Sequence, residues 1–368
     1  MDLFVFDEDY APLGILSSPV SFSYIERVRS QGEFSLYLPL NSKNVELIKE
    51  DRIILFDKEN GIAGIIGKMR KNTDSDDSPL LQVFGGLCDE YMYRRICWGM
   101  YSKNGKPSVI IEDMINTQIT NPTKTERAIP DFVVDPSEFA DESDITYQST
   151  GGNVGDNVDA ICSTNKMFRR VKYDPIAKKM FFKLFKGIDR TVSQKDVPPC
   201  VFSQIFENIL QSEYEKDLTD SKNVGLVGGE EQENKQRVFV EVGDKTGKQR
   251  REMFIDARSV RSKQSDGTTL DDGQYKALLI QKADEKMAKV KEVESFDCVV
   301  NIMGNVQYNK DYFLGDFVTF KDALLGIEVN AEITEIEIVW DSNGKTIYIT
   351  FGFGALTLSE KIKAKGVQ

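Results

Sequence analysis

Apolar and polar positions along the chain change their rhythm twice. Over about the first ninety residues the period is two. Phe34, Leu36, Leu38 and Leu40 alternate with Ser35, Tyr37 and Pro39, the pattern of a strand with one buried face. Residues 52–57 follow, then the turn-prone Lys58-Glu59-Asn60-Gly61, then 62–68, a polar stretch over 71–78, and 80–84. Short strands with turn signals every ~8–12 residues predict a sandwich or small barrel.

Beyond Cys97 the pattern is mixed. Ser108 is placed to cap a helix carrying Val109, Ile110, Met114 and Ile115 on one side. Residues 121–144 are polar, contain proline and read as loop. Val154, Val158 and Ile161 form a short helical stripe, and 168–173 and 179–185 read as strands joined at Asp174-Pro175. From Val201 strand patterning returns. Residues 237–242 and 252–256 alternate on either side of a polar stretch, 243–248, which reads as a hairpin tip. Residues 272–293 predict the strongest helix, with Leu279, Ala283, Met287 and Val290 on one face and Lys276, Lys282, Lys286 and Lys289 elsewhere. Residues 317–320, 327–331 and 334–340 read as strands. Asp341-Ser342-Asn343-Gly344 then turns into the alternating Ile347, Ile349 and Phe351. Two β-rich ends flank an α/β middle.

Composition narrows the chemistry. At 368 residues the chain exceeds what one hydrophobic core usually serves. Acids outnumber bases by 59 to 47, a net charge of −12, which argues against a protein that coats nucleic acid. There is no histidine, so Ser-His-Asp and Cys-His nucleophile pairs and histidine-ligated metals are excluded. The five cysteines Cys88, Cys97, Cys162, Cys200 and Cys298 are widely spaced and read as buried free thiols. The opening MDLFVFDED lacks the charged and apolar regions of a signal peptide, and no apolar run approaches the ~20 residues of a membrane span, so no membrane anchor is expected.

Candidate sites fail on spacing. Gly243 to Lys248 has three residues between its glycines where a phosphate loop needs four, and Gln249 follows the lysine. Gly151-Gly152-Asn153-Val154-Gly155 reads as a loop leading into a helix. Asp74, Asp76 and Asp77 lack the glycine and distal glutamate of a calcium loop. No carboxylate pair stands out for glycosidic chemistry.

Several ordered segments together resemble the tail hub family of long-tailed bacteriophages, the trimeric baseplate-hub or tail-tip proteins that include the N-terminal part of tail-associated lysins. They are Gly187-Ile188-Asp189-Arg190, Val201-Phe202-Ser203-Gln204 with Asn208 and Tyr214, and Arg251-Glu252 with Ile255-Asp256-Ala257-Arg258. The run from Tyr312 to Thr319, then Ile333-Thr334-Glu335, Thr350-Phe351-Gly352 and the early Gly32-Glu33-Phe34 complete the set. The resemblance implies an α+β, mostly β chain of baseplate-hub fold, with two antiparallel β-barrel, tube-like domains and an inserted α/β domain. The barrels fall at 1–96 and at 197–244 with 296–358. The α/β decoration falls at 97–196 with about 245–295, and a tail at 359–368.

It implies a homotrimer in which six barrels match the six-fold tail tube above and a three-fold tip below. Partners would be distal tail and tail tube proteins, the tape measure protein, and a tail fibre, spike or separate lysin, with DNA only as passing cargo. The place would be the virion tail tip, with host cytoplasm during assembly. No catalytic, cofactor or metal residue is implied. The motif residues Gly187, Asp189, Arg190, Phe202, Ser203, Asn208, Gly315, Asp316, Phe351 and Gly352 read as structural. Gly315 is expected to permit a turn, Asp316 to bond local backbone, and Asp189 and Arg190 to pair with each other, buried or exposed. Many relatives continue into a peptidoglycan-cleaving or fibre-binding region. Here the matched block ends shortly before Gln368, so lytic activity is expected from a separate protein. The alternative readings are a tail-associated cell-wall hydrolase or endopeptidase, and a host-binding tail adhesin.

Overall fold

The period-two segments at the start fold as seven strands. They are β1 (Leu3–Phe6), β2 (Pro12–Leu16), β3 (Ser21–Arg27), β4 (Glu33–Pro39), β5 (Ile53–Asp57), β6 (Ile62–Thr73) and β7 (Pro79–Leu87). Helix α1 (Ser42–Leu47) follows β4 and is capped by Asn41, whose side chain accepts from Asn44 N at 2.9 Å. The computed structural model describes residues 2–16, 18–73, 79–231, 236–264, 268–290, 292–322 and 326–353.

The middle holds helices α2 (Glu90–Tyr93), α3 (Pro107–Ile115) and α4 (Val154–Thr164) with strands β8 (Met100–Gly105), β9 (Phe132–Val134), β10 (Ile145–Thr150), β11 (Phe168–Asp174) and β12 (Lys179–Phe185). Beyond it come β13 (Val201–Ser203), β14 (Ile209–Asp217), β15 (Val224–Glu231), β16 (Arg237–Val242) and β17 (Glu252–Asp256). Helix α5 (Asp272–Ala288), β18 (Val293–Val300), β19 (Phe317–Asp322), β20 (Ile327–Asp341) and β21 (Gly344–Phe353) follow.

Both ends of the chain enter one 13-stranded sheet. Its order is β14-β18-β21-β20-β3-β4-β7-β6-β5-β1-β2, with β19 on β20 and β13 on β19. The seam is the antiparallel pair β3/β20, in register from Arg27 opposite Glu335 to Phe22 opposite Trp340. The expectation for these two ends is a pair of β-barrels. Among the described residues no strand pairing closes either half, and each half completes an edge of the other. Ion pairs key the seam: Arg27 with Glu335 at 3.3 Å and Arg29 with Glu332 at 2.7 Å. One apolar core runs through both halves, from Phe22, Tyr24, Phe34 and Phe56 to Phe202, Phe296, Phe320 and Phe351.

A second core fills the middle, where α3 and α4 pack Ile110, Ile111, Met114, Val158 and Ile161 with Phe132 and Phe182. Two local expectations are corrected there. Helix α3 begins with Pro107 at its first position and Lys106 ahead of it, so Ser108 is inside the first turn and bonds Glu142 instead of capping. The segment 121–144 contains β9, which pairs parallel with β12 through Phe132 opposite Met180.

A third, small core belongs to a three-stranded sheet of order β16-β15-β17 under α5, built from Val227, Ile255, Tyr275, Leu278, Leu279 and Ala283. Strands β16 and β17 therefore do not form a hairpin. Strand β15 lies between them, antiparallel to β16 and parallel to β17, and residues 243–251 cross over it. For the same reason 224–242 sit with 252–288, not with the C-terminal strands. Helix α5 ends at Ala288 and β18 starts at Val293, which shortens the expected 272–293 helix.

Candidate functional site

The ten motif residues fall into two groups in the C-terminal half. The first is built on the turn before β19. Gly315 has φ +88, and a Cβ there would lie 2.3 Å from the Phe168 ring. A Cβ on Gly187 would lie 1.6 Å from the Gly315 carbonyl oxygen. The two glycines let segment 187–190 lie directly on the turn. Phe317 N then donates to Ile188 O at 3.0 Å, and Arg190 N to Phe317 O at 2.7 Å.

The Asp316 carboxylate, its side chain 4% exposed, is enclosed by three donors. They are Ile188 N at 2.9 Å, Phe313 N at 3.0 Å and Arg190 Nε at 2.7 Å. The expected Asp189–Arg190 pair is corrected. Asp189 turns to Thr191 N at 2.8 Å, because neighbours in an extended segment point to opposite sides.

The second group is a corner between β13 and β14. Asn208 is fully buried. Its Oδ1 accepts from Ser203 N at 2.9 Å, and its Nδ2 donates to Val201 O at 2.8 Å and to Asn305 Oδ1 at 2.9 Å. Ser203 Oγ accepts from Ile205 N at 3.3 Å. Phe202 packs 5.1 Å from both Tyr312 and Phe351. Gly352, at φ +84, stands opposite Ser295 where β21 meets β18. Every one of these groups positions backbone or fills core.

All five cysteines are buried and free. Burial pushes Cys162 and Cys200 up to about 12, and raises Cys88, Cys97 and Cys298 as well. Among the described residues no group of three Cys, Asp and Glu side chains could hold a metal, and no helix is long and apolar enough to cross a membrane. Asp74, Asp76 and Asp77 lie outside the described residues. At the start of α4, Gly152 and Gly155 are closely packed, whereas Gly151, at φ +67, has open space where a Cβ would be. Asn153 caps the helix, accepting from Asp156 N at 3.2 Å, and a Cβ on Gly155 would lie 2.5 Å from the Tyr93 ring.

The family model described as Siphovirus ReqiPepy6 Gp37-like protein matches residues 2–353. The chain belongs to this family of bacteriophage tail proteins. Two of the solved structures similar to this chain share its fold. The 43 kDa tail protein of prophage MuSo2 from Shewanella oneidensis is 14% identical with a TM-score of 0.58, over 95% of this chain and 98% of that one. The tail protein from Neisseria meningitidis MC58 is 12% identical with a TM-score of 0.57, over 95% of each chain. No curated protein sequence matches.

In this tail protein one buried polar cluster is a feature that sequence reasoning missed. Arg169, its side chain 2% exposed, contacts Asp89 at 2.7 Å and Asp159 at 3.1 Å and bonds the Tyr93 hydroxyl. Beside it Arg170 meets Glu26 at 2.9 Å, and Glu26 accepts from the Tyr308 hydroxyl at 3.0 Å. Burial raises the Asp89 and Asp159 carboxyls, and Arg169 opposes that rise. Glu26, Asp89, Arg169 and Arg170 of this cluster line a cavity of about 30 Å³ where the N-terminal half, the middle and Leu314 of the C-terminal half meet. Its one sequence signal is the adjacent pair Arg169 and Arg170 in a strand whose Phe168, Val171 and Tyr173 are buried.

Proposed function

We propose that this tail protein is the hub of a phage or phage-like tail tip, a homotrimer around a central channel that joins the six-fold tail tube to a three-fold tip. The observation that carries the reading is the sheet built from both ends of the chain. Among the described residues no pairing closes it, and β2, β14 and β13 each pair on one side only. An open sheet needs its edges covered, and a three-fold contact pairs two different faces of neighbouring subunits. Two half-sheets per subunit, acting as the tube-like halves, give six units in a ring of three. The motif residues hold backbone in place, so the function is geometric: interfaces do the work and no reactive group is required.

In this reading the chain assembles in the host cytoplasm and resides in the virion tail tip. Distal tail or tail tube proteins and the tape measure protein lie above it. A fibre, a spike or a separate lysin lies below, and DNA passes through as cargo. The net charge of −12 discourages DNA from sticking in transit.

Electron microscopy of assembled tails carrying a tag on this chain tests the reading. Three copies on the tail axis at the tip are expected. Six or more copies there, or a position off the axis, would overturn it.

A further inference from the structure

We propose that the surface around Trp98 is a docking site for an acidic segment of a partner protein. The Trp98 indole is 57% exposed, and Ile96 beside it is 41% exposed. Lys124 Nζ lies 4.6 Å from the centre of the Trp98 ring, and the Arg127 guanidinium 5.1 Å. The site is built, not incidental. Arg95 Nε donates to Arg127 O at 3.0 Å, and Arg127 donates to Ile96 O at 2.8 Å, so residues 95–98 and 124–127 are tied together. Trp98 N is fixed by Gln118 Oε1 at 3.0 Å.

These guanidinium groups are held by carbonyl oxygens, not carboxylates. Among the described residues no ion pair uses Arg95, Lys124 or Arg127, whereas the adjacent Arg94 is held by Asp51 and Glu90. Glu126, exposed between Lys124 and Arg127, makes no ion pair among the described residues. Burial lowers the Arg95 pKa, and the nearby charges of Arg127 and Arg94 lower it further. In a chain of net charge −12 this is a local positive field, and carboxylates arriving from outside would relieve it.

Protein carboxylates fit better than nucleic acid. An exposed Trp ringed by cations has the composition of an interface hot spot. Three cations fall short of the ~6–10 phosphate contacts of typical DNA-binding surfaces, and the overall charge repels a long polyanion.

The chain has two tryptophans, so Trp340→Phe leaves Trp98 as the only one and its fluorescence reports the patch. The probe is a twelve-residue peptide of alternating glutamate and glycine, titrated at about 50 mM salt. A saturable change is expected. It should weaken about tenfold in Lys124→Gln/Arg127→Gln, the loss of one exposed and one half-buried charge contact, and weaken again in high salt. Because Arg127 also ties the two segments, Lys124→Glu, which reverses a charge beside the indole, is the second variant and should abolish binding with thermal stability unchanged. No saturation by 1 mM peptide, or equal binding by Lys124→Glu, overturns the proposal. Tighter binding of a single-stranded oligonucleotide of equal charge, lost in the same variants, also overturns it and makes the ligand a nucleic acid.

Discussion

Asp316 shows how one side chain can hold its own turn against a distant segment, 187–190. Its carboxylate takes two backbone amides and the Arg190 guanidinium at 2.7–3.0 Å in a nearly dry site. Removing one member of a buried, hydrogen-bonded pair leaves the other charge uncompensated, which costs about 3–5 kcal/mol. Asp316→Ala is therefore expected to lose about that much in urea denaturation. Asp316→Asn keeps an acceptor oxygen and should lose roughly 1–3 kcal/mol. Two variants of wild-type stability would show that the carboxylate carries no load. Asp316 was readable in the sequence as a residue that bonds local backbone, and its bond to Phe313 N fulfils that. Its partner Arg190 was not, because it lies 126 residues away in the chain.

Among the elements, helix α5 is the clearest case of local signals agreeing with tertiary need. Asp271 and Gln274 form a reciprocal capping box, and Leu279 and Ala283 on one face enter the small third core. That core is separate from the main sheet, so weakening the helix should not reach β3 or β4. Asp271→Ala should cost about 1 kcal/mol locally. Hydrogen exchange of amides in β15 and α5 should then quicken about fivefold, while those of β3 and β4 keep their rates. Uniform quickening across the chain would mean that the three cores unfold as one. The alternation of β16 and β17 was plain from their residues, since a period of two needs no partner. That β15 inserts between them was not, because Val224–Glu231 is rich in glycine and carries little alternation of its own.

Over the whole molecule the buried thiols set a common alkaline limit. Cys88, Cys97 and Cys162 lie in the middle core, and Cys200 and Cys298 in the core of the main sheet. Burial lifts Cys162 and Cys200 from 9.0 to about 12 and raises the other three. Above pH 9 the unfolded chain releases thiol protons that the folded chain keeps. Stability is thus fully present below 9 and falls as pH rises toward the folded values, by about 1.4 kcal/mol per pH unit per thiol. The melting temperature should be flat to pH 9 and drop steeply by pH 11, and Cys200→Ala should make the drop shallower. A melting temperature unchanged to pH 11 would contradict this burial.

By itself the sequence determined most strands of the two ends and the positions of α4 and α5, and excluded histidine chemistry, because periodicity and composition are properties of residues near one another in the chain; its ordered motifs carried the resemblance to tail proteins. Tertiary structure alone decided that β3 meets β20 across about 300 residues, that the two ends share one sheet, and that Arg169 finds Asp89 and Asp159. Each of these depends on which distant surfaces are complementary once folded, and a strand's own residues specify which face is buried without specifying which neighbour it joins.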